Sequence, residues 1–202
     1  MGFLWLKTES RTEKLFIPQD SRAINDLNIA EKYFRLKVRV ASVILVAHAE
    51  NPNILAAECL TEAQNVHSQI VMLKSFTEFC LTLSGQKAST WKDCVTIDPF
   101  QVFLDRNFSN RSLVQIQTEI NTAFNNKSLL MRDGQLFQRN FRQIFGDVTK
   151  RTSDRAITGA RAMQLKYLIR DPPEDDVTKK VLEWEKTFLD KVASTSATCF
   201  EI

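Results

Sequence analysis

The sequence predicts an α+β fold, specifically a ferredoxin-like split βαβ sandwich with a long irregular insertion. The predicted elements follow in the order strand, helix, strand, helix, strand, and an irregular stretch at about 75–159 interrupts them. In such a sandwich the helices lie on one face of an antiparallel sheet. The chain has 202 residues, 44% of them hydrophobic, which suits one domain with its own core.

The first 35 residues are predicted to form a connector and a helix, separate from the main domain at 36–202. The apolar run Leu15–Ile17, which stops at Pro18, is predicted to be extended. A helix at about 21–35 follows, since Asp20 or Ser21 can cap its N-terminus. Its apolar residues recur with helical spacing, at Ala23, Ile24, Leu27, Ala30 and Phe34.

The first strand and the first helix of the main domain come next. Val40–Ala49 is rich in β-branched residues and apolar at nearly every position, which predicts a strand buried on both faces. The helix at about 56–73 places Leu60, Ala63, Val66, His67, Ile70 and Met72 or Leu73 on one side. We interpret His67 as a side chain that borders the core.

The insertion at about 75–159 has a less regular pattern. Segments 76–85 and 91–98 look extended and enclose a loop rich in Gly, Ser and Lys. A helix follows, with Leu113, Ile116, Ile120 and Phe124 in helical register. Asp133-Gly134 indicates a hairpin, and a short helix is predicted to end at Gly146.

Regular patterns return after the insertion. Segment 160–170 alternates, and its apolar set is Met163, Leu165, Tyr167 and Ile169, which predicts a half-buried strand. The last helix carries a stripe of Val177, Val181, Trp184, Phe188 and Val192. Segment 195–202 reads as the opening of a last strand that is cut off at Ile202.

The four cysteines are Cys59, Cys80, Cys94 and Cys199. They form no CxxC pair, and with only two histidines they do not predict a zinc site. Their number fits two disulfides or four reduced core thiols. If they are bridged, the predicted topology favours Cys59–Cys199, because the last strand would lie beside the first, and Cys80–Cys94, because that pair flanks a short loop.

The sequence offers no recognisable catalytic, metal or cofactor site. The five glycines are scattered, and the motifs GxGxxG, GxxxxGK[ST], GxSxG and HExxH are absent. A thiol enzyme would need His48 or His67 beside a reactive cysteine. We therefore expect a protein that is not an enzyme and binds no cofactor.

The charge pattern argues against a nucleic-acid partner, because the net charge is only +3 and both signs are interspersed. The most basic segment holds Arg132, Arg139, Arg142, Lys150, Arg151, Arg155 and Arg161 against Asp133, Asp147 and Asp154. A solvated basic loop explains it, and so would a surface for anionic lipid or an acidic partner. The latter defines an alternative function, a soluble interaction module.

Three N-x-S sequons cluster in the insertion, at Asn107, Asn110 and Asn126. Such motifs are acceptors for N-glycans in secreted or extracellular loops, although chance placement would also explain them. The longest apolar run, Ala41–Ala47, is far shorter than the roughly 20 residues of a membrane-spanning helix.

Several segments together resemble the first extracellular domain of the Patched family of membrane proteins. They are EKLFIPQDSRAINDLNIAEKYF (13–34), CLTLSG (80–85), KDCV (92–95), ITGARAMQLKYLIRD (157–171) and EWEKTFLDK (183–191). The family belongs to the resistance–nodulation–division type of transporter, with many membrane spans, a sterol-sensing domain and two large ectodomains on ferredoxin-like cores.

This resemblance implies a function and a location. It implies an extracellular domain at the plasma membrane that assists sterol or lipid transport or binds an extracellular ligand. It implies as partners the spans on either side of the segment, the second ectodomain and a sterol or other lipid. An oxidising compartment is also implied, which favours the two disulfides and the glycans.

Overall fold

The computed structural model describes residues 38–50, 52–103, 107–125, 144–170 and 175–202, together with Arg22, Asp26 and Ile29. It divides the chain into two compact units, Met1–Lys37 and Val38–Ile202. In the first unit the three described residues are helical, as predicted, and Arg22 Nε lies 3.6 Å from Asp26 Oδ2 one turn further on. The apolar run Leu15–Ile17 lies outside the described residues.

The second unit contains strands and helices in alternation. Its strands are β1 (Val38–Ala47), β2 (Thr96–Ile97), β3 (Phe145–Lys150), β4 (Ile157–Arg170) and β5 (Phe200–Glu201). Its helices in the described part are α1 (Ala57–Val71), α2 (Phe76–Phe79), α3 (Leu113–Asn125) and α4 (Asp175–Ala193). Short 3-10 turns occupy Trp91–Asp93 and Pro99–Val102.

The five strands form one antiparallel sheet in the order β2-β4-β1-β5, and β3 also pairs with β4. The longest ladder joins β1 to β4, from Val38 opposite Arg170 to Val46 opposite Ala162. At the far end of β1, Ala47 pairs with Phe200 of β5. The predicted α+β class is confirmed.

The prediction that the first strand is buried on both faces is wrong. In β1, Val43 and Leu45 are buried, whereas Val40 is 55% and Ile44 54% exposed. Neighbouring side chains of a strand point to opposite faces, and the buried ones join a core to which the helices also contribute. The run of β-branched residues predicted the strand, but it could not tell how many of its faces would be covered.

The alternating strand and the helical stripes of α1 and α4 are confirmed, whereas in α3 Ile116 and Ile120 are buried but Leu113 is 39% exposed. In β4 the buried set includes Met163, Leu165, Tyr167 and Ile169, although the strand begins earlier than predicted, at Ile157. The α4 stripe buries Val181, Trp184 and Phe188. At the end of α1, Met72 is 74% exposed while Leu73 packs against the core, so Leu73 is the residue that continues the apolar side.

Parts of the insertion differ from prediction. Phe76–Phe79 is a helical turn and Trp91–Asp93 a 3-10 turn, where extended chain was expected. The expected helix ending at Gly146 is wrong for the described residues, because Phe145–Lys150 is strand β3. Pairing with β4, which sets Phe145 opposite Met163, decided that conformation. The Asp133-Gly134 hairpin lies outside the described residues.

Candidate functional site

Two disulfides cross-link the second unit. Cys59 at the start of α1 is bonded to Cys199, with Cα atoms 5.2 Å apart, and Cys80 is bonded to Cys94 at 5.4 Å. These are the pairings that the predicted topology favours. Two disulfides in one small domain indicate an oxidising extracellular or secreted environment.

A carboxylate on α1 holds the segment that enters β5. Glu62 Oε2 accepts hydrogen bonds from the backbone nitrogens of Thr198 and Cys199, each at 3.0 Å. The Thr198 hydroxyl donates to the other carboxylate oxygen. The His48 backbone nitrogen donates to the Cys199 carbonyl at 3.1 Å. The segment that enters β5 is therefore held by one disulfide and several hydrogen bonds, which together we call the Cys199 clamp.

The clamp favours the ionised form of Glu62. Burial raises the pKa of this carboxyl. The hydrogen bonds from the Thr198 side chain and from the backbone of Cys199 and Thr198 lower the pKa by a larger amount. The charge of His48 acts in the same direction. The net result is a pKa below the ordinary value for glutamate, because donors that stabilise the anion outweigh the loss of solvent.

A second polar group lies inside the core, where the helices meet the sheet. His67 Nδ1 lies 3.3 Å from the Tyr167 hydroxyl, and both residues are almost fully buried. The buried Asp98 carboxylate accepts hydrogen bonds from the Thr96 hydroxyl at 2.7 Å and from the Phe100 backbone nitrogen at 3.0 Å. The predicted role of His67 is confirmed insofar as its ring packs in the core.

The surroundings keep the Tyr167 hydroxyl protonated. Burial raises its pKa well above the ordinary value, and the nearby Asp98 charge raises it further. A neutral phenol can donate a hydrogen bond, whereas a buried phenolate beside a carboxylate would be unfavourable. The arrangement therefore stabilises one protonation state of the core.

Aromatic rings surround this polar group. The His67 ring centroid lies 5.5 Å from Phe100 and 5.8 Å from Trp91. On the other side of Tyr167, the rings of Phe76 and Phe188 lie 6.0 Å away. These contacts shield the group from solvent. The His67 and Tyr167 side chains are therefore part of the packed core and do not line an open pocket.

The described sequons lie in the loop that precedes α3. Asn107 and Asn110 are exposed, while Phe108 between them is 1% exposed and packs on Phe100 and Phe103. Asn126 lies outside the described residues. The sequence-predicted acceptors at 107 and 110 are thus on the surface of one anchored loop.

The described part of the basic segment is partly neutralised by its own acids. Arg151 lies 3.4 Å from Asp154 and Arg161 lies 3.8 Å from Asp147. The arginines at 132, 139 and 142 lie outside the described residues. The described part of this segment, on β3, β4 and the turn between them, is therefore a solvent-exposed surface with local ion pairs.

Neither a metal site nor a membrane-spanning helix is found among the described residues. No cluster of His, Cys, Asp or Glu in that part of the chain could hold a metal ion. No helix there combines the length and the apolar character needed to cross a bilayer.

Sequence reasoning missed the structural roles of two carboxylates, Glu62 and Asp98. Glu62 looked like an ordinary polar residue of an amphipathic helix, and its partners are 136 and 137 residues away. Asp98 precedes Pro99 at the start of a 3-10 turn, and an Asp-Pro pair is a recognised turn signal that could have identified it as a cap.

No protein-family model matches the chain, and no curated protein matches it significantly. The chain is accordingly defined by its α+β fold, its antiparallel sheet and its two disulfides.

Proposed function

We propose that this chain is a non-catalytic extracellular domain of a Patched-related multi-pass membrane protein, and that it assists the passage of a sterol or other lipid or binds an extracellular ligand. The observation that carries the proposal is the pair of disulfides in an α+β domain whose strand order suits that family. The sequence segments described above supply the link to the family.

The sheet order supports a ferredoxin-like core. If β1, β2, β4 and β5 are taken as the four strands of that fold, the order β2-β4-β1-β5 is the one in which the last strand lies beside the first. The crossover helices α1 and α4 follow the first and third of these strands, as the split βαβ pattern requires. This assignment moves β2 from the predicted insertion at about 75–159 into the core, so the insertion is then the stretch between β2 and β4, which holds α3 and β3.

The disulfides support an extracellular position. The Cys59–Cys199 bridge joins the segment that enters β5 to α1, and the Cys80–Cys94 bridge closes a short loop between α1 and β2. Proteins kept in a reducing compartment rarely hold such structural disulfides. The bridges also leave no free thiol among the four cysteines, which weighs against a thiol enzyme.

The closed polar group supports a non-catalytic role. His67, Tyr167 and Asp98 are the buried titratable residues of the core, and each is at most 2% exposed. A general acid or base must reach its substrate, and aromatic rings separate these groups from solvent. Their contribution is therefore to the core of the domain.

Thiol labelling tests the compartment. The full chain is produced behind a cleavable secretion signal and, in parallel, in the cytosol of the same cells. We expect the secreted form to take up no thiol reagent until it is reduced, and then to take up four equivalents, one for each cysteine. A double Cys80→Ser/Cys94→Ser variant is the matched control, since it should take up only two. Four reactive thiols in secreted, folded material would contradict the proposal.

Two observations test the membrane parent. The coding sequence on either side of the chain should encode apolar segments of roughly 20 residues. In the full-length parent, a photoreactive cholesterol should label the protein, and deletion of residues 38–202 should reduce that labelling. Flanking sequence without apolar segments would refute the parent, and unchanged labelling would refute the part that this domain plays in lipid passage.

A further inference from the structure

The loop 107–112 contains two sequons, and the middle residue of each sequon packs against the domain. We call these two residues, Phe108 and Arg111, the anchors. Each sequon has the form Asn-x-Ser, and the middle residues are Phe108 and Arg111. Phe108 is buried, with its ring 4.9 Å from that of Phe103. Arg111 is half-buried, and its guanidinium lies 2.6 Å from the Glu119 carboxylate of α3.

The anchors reinforce each other. The Arg111 guanidinium lies 5.6 Å from the ring centroid of Phe103 and 5.8 Å from that of Phe108, so a cation covers the aromatic pair. The Arg111 backbone nitrogen donates to the Phe108 carbonyl at 3.0 Å. The middle residue of each sequon thus packs against the domain, and the remaining residues of the loop face solvent.

The acceptor residues are among those that face solvent. Asn107, Ser109 and Asn110 are all exposed. The Asn107 side-chain oxygen Oδ1 accepts a hydrogen bond from the Ser109 backbone nitrogen at 3.1 Å. An N-glycan is attached to the other atom of the amide, Nδ2, so this hydrogen bond does not itself block attachment of a glycan.

The last residue of the second sequon, Ser112, caps the N-terminus of α3. The Ser112 backbone nitrogen donates to Gln115 Oε1 at 2.8 Å, and the Gln115 backbone nitrogen donates back to the Ser112 hydroxyl at 3.3 Å. This is a capping box at the start of α3. Ser112 is exposed, as Asn110 is.

We propose that the loop 107–112 is an N-glycosylation site, with Asn107 and Asn110 as its acceptors. The inference rests on the proposed extracellular function, because the modification requires the secretory pathway. The amide Nδ2 attacks the anomeric carbon of an oligosaccharide carried on a lipid pyrophosphate. The new carbon–nitrogen bond forms as the carbon–oxygen bond to pyrophosphate breaks, and the amide proton passes to a base of the transferase.

A glycan here would also define a free surface of the domain. A branched oligosaccharide is bulky and strongly solvated, so the side of the loop that carries it must face solvent in the parent protein. Partner contacts of the domain then have to use other surfaces.

The test isolates the loop from the third sequon. The full chain with Asn126→Gln is secreted from human cells, and its electrophoretic mobility is compared before and after treatment with peptide N-glycosidase. We expect a mobility shift that disappears in the additional double variant Asn107→Gln/Asn110→Gln. Mass spectrometry after enzymatic deglycosylation in heavy-oxygen water then reports the occupancy of each acceptor.

Ser109 provides matched variants for the first acceptor. Ser109→Ala removes the sequon but keeps the backbone nitrogen that bonds Asn107 Oδ1, so the occupancy of Asn107 should be lost without loss of folding. Ser109→Thr retains the sequon and should retain the glycan. Loss of the glycan in both variants would contradict the assignment of Asn107.

Two negative results are distinguishable. If the secreted Asn126→Gln chain forms both disulfides but carries no glycan, the glycosylation inference is overturned and the proposed function stands. If the chain routed through the secretory pathway keeps its four thiols reduced and carries no glycan, both are overturned.

Discussion

Glu62 Oε2 accepts a hydrogen bond from the backbone nitrogen of Cys199 at 3.0 Å, across 137 residues of sequence. The bond lies next to the disulfide that joins Cys199 to Cys59. The two residues belong to α1 and to the segment that enters β5, so their contact fixes where the last strand meets the first.

We predict that protonation of Glu62 in acid makes the domain less stable. The pKa of this carboxyl is lower in the folded state, because its hydrogen bonds outweigh the effect of burial. Its stabilisation is therefore complete above the unfolded pKa, about 4.3, and is lost as pH falls through the folded pKa. Glu62→Gln should reduce the free energy of unfolding at pH 7 by about 1 kcal/mol, since solvent screens this half-exposed group.

The measurement for Glu62 is urea unfolding at neutral pH and at a pH below both pKa values. The difference between wild type and Glu62→Gln should shrink in acid. Glu183→Gln, on the exposed side of α4, is the control and should show little difference at either pH. An equal loss from Glu62→Gln at both pH values would exclude ionisation as the cause.

We predict that the two disulfides contribute unequally to stability. Cys59–Cys199 spans 140 residues and Cys80–Cys94 spans 14. In the chain-entropy model these loops correspond to about 5 and about 3 kcal/mol. Unfolding of the double serine variants by urea would measure the difference. A larger loss from Cys80→Ser/Cys94→Ser would show that local packing, and not loop closure, dominates.

We predict that truncation of two neighbouring side chains in β1 lowers the free energy of unfolding by very different amounts. Leu45 is fully buried and Ile44 is 54% exposed. Leu45→Ala should reduce the free energy of unfolding by about 2–5 kcal/mol, whereas Ile44→Ala should cost less than about 1 kcal/mol. Denaturant titration of the two single variants provides the comparison. Similar large losses would mean that the Ile44 face is covered in solution.

We predict that Tyr167 ionises only when the domain unfolds. Its folded pKa is raised by burial and by Asp98, so its stabilisation is present below the unfolded pKa of about 10 and is lost as pH rises above it. The chain has two tyrosines, and Tyr33→Phe leaves Tyr167 alone to be followed by tyrosinate absorbance. Its titration should coincide with loss of the circular dichroism signal. Ionisation before unfolding would contradict the closed core.

The sequence by itself determined the α+β class, the positions of β1, β4, α1 and α4, and the buried stripes of α1 and α4. These follow from local periodicity, which burial of one face imposes on each element. The cysteine pairings also agreed with expectation, because the predicted strand order already placed Cys199 near Cys59.

Only the tertiary structure decided the features that depend on contacts between distant segments. Phe145–Lys150 became a strand because β4 was available to pair with it, and Ile44 remained exposed because the helices covered the other face of β1. Glu62 and Asp98 gained their roles from groups that the fold brought to them. A local pattern records how each residue suits its own element, but not which neighbours will satisfy its hydrogen bonds.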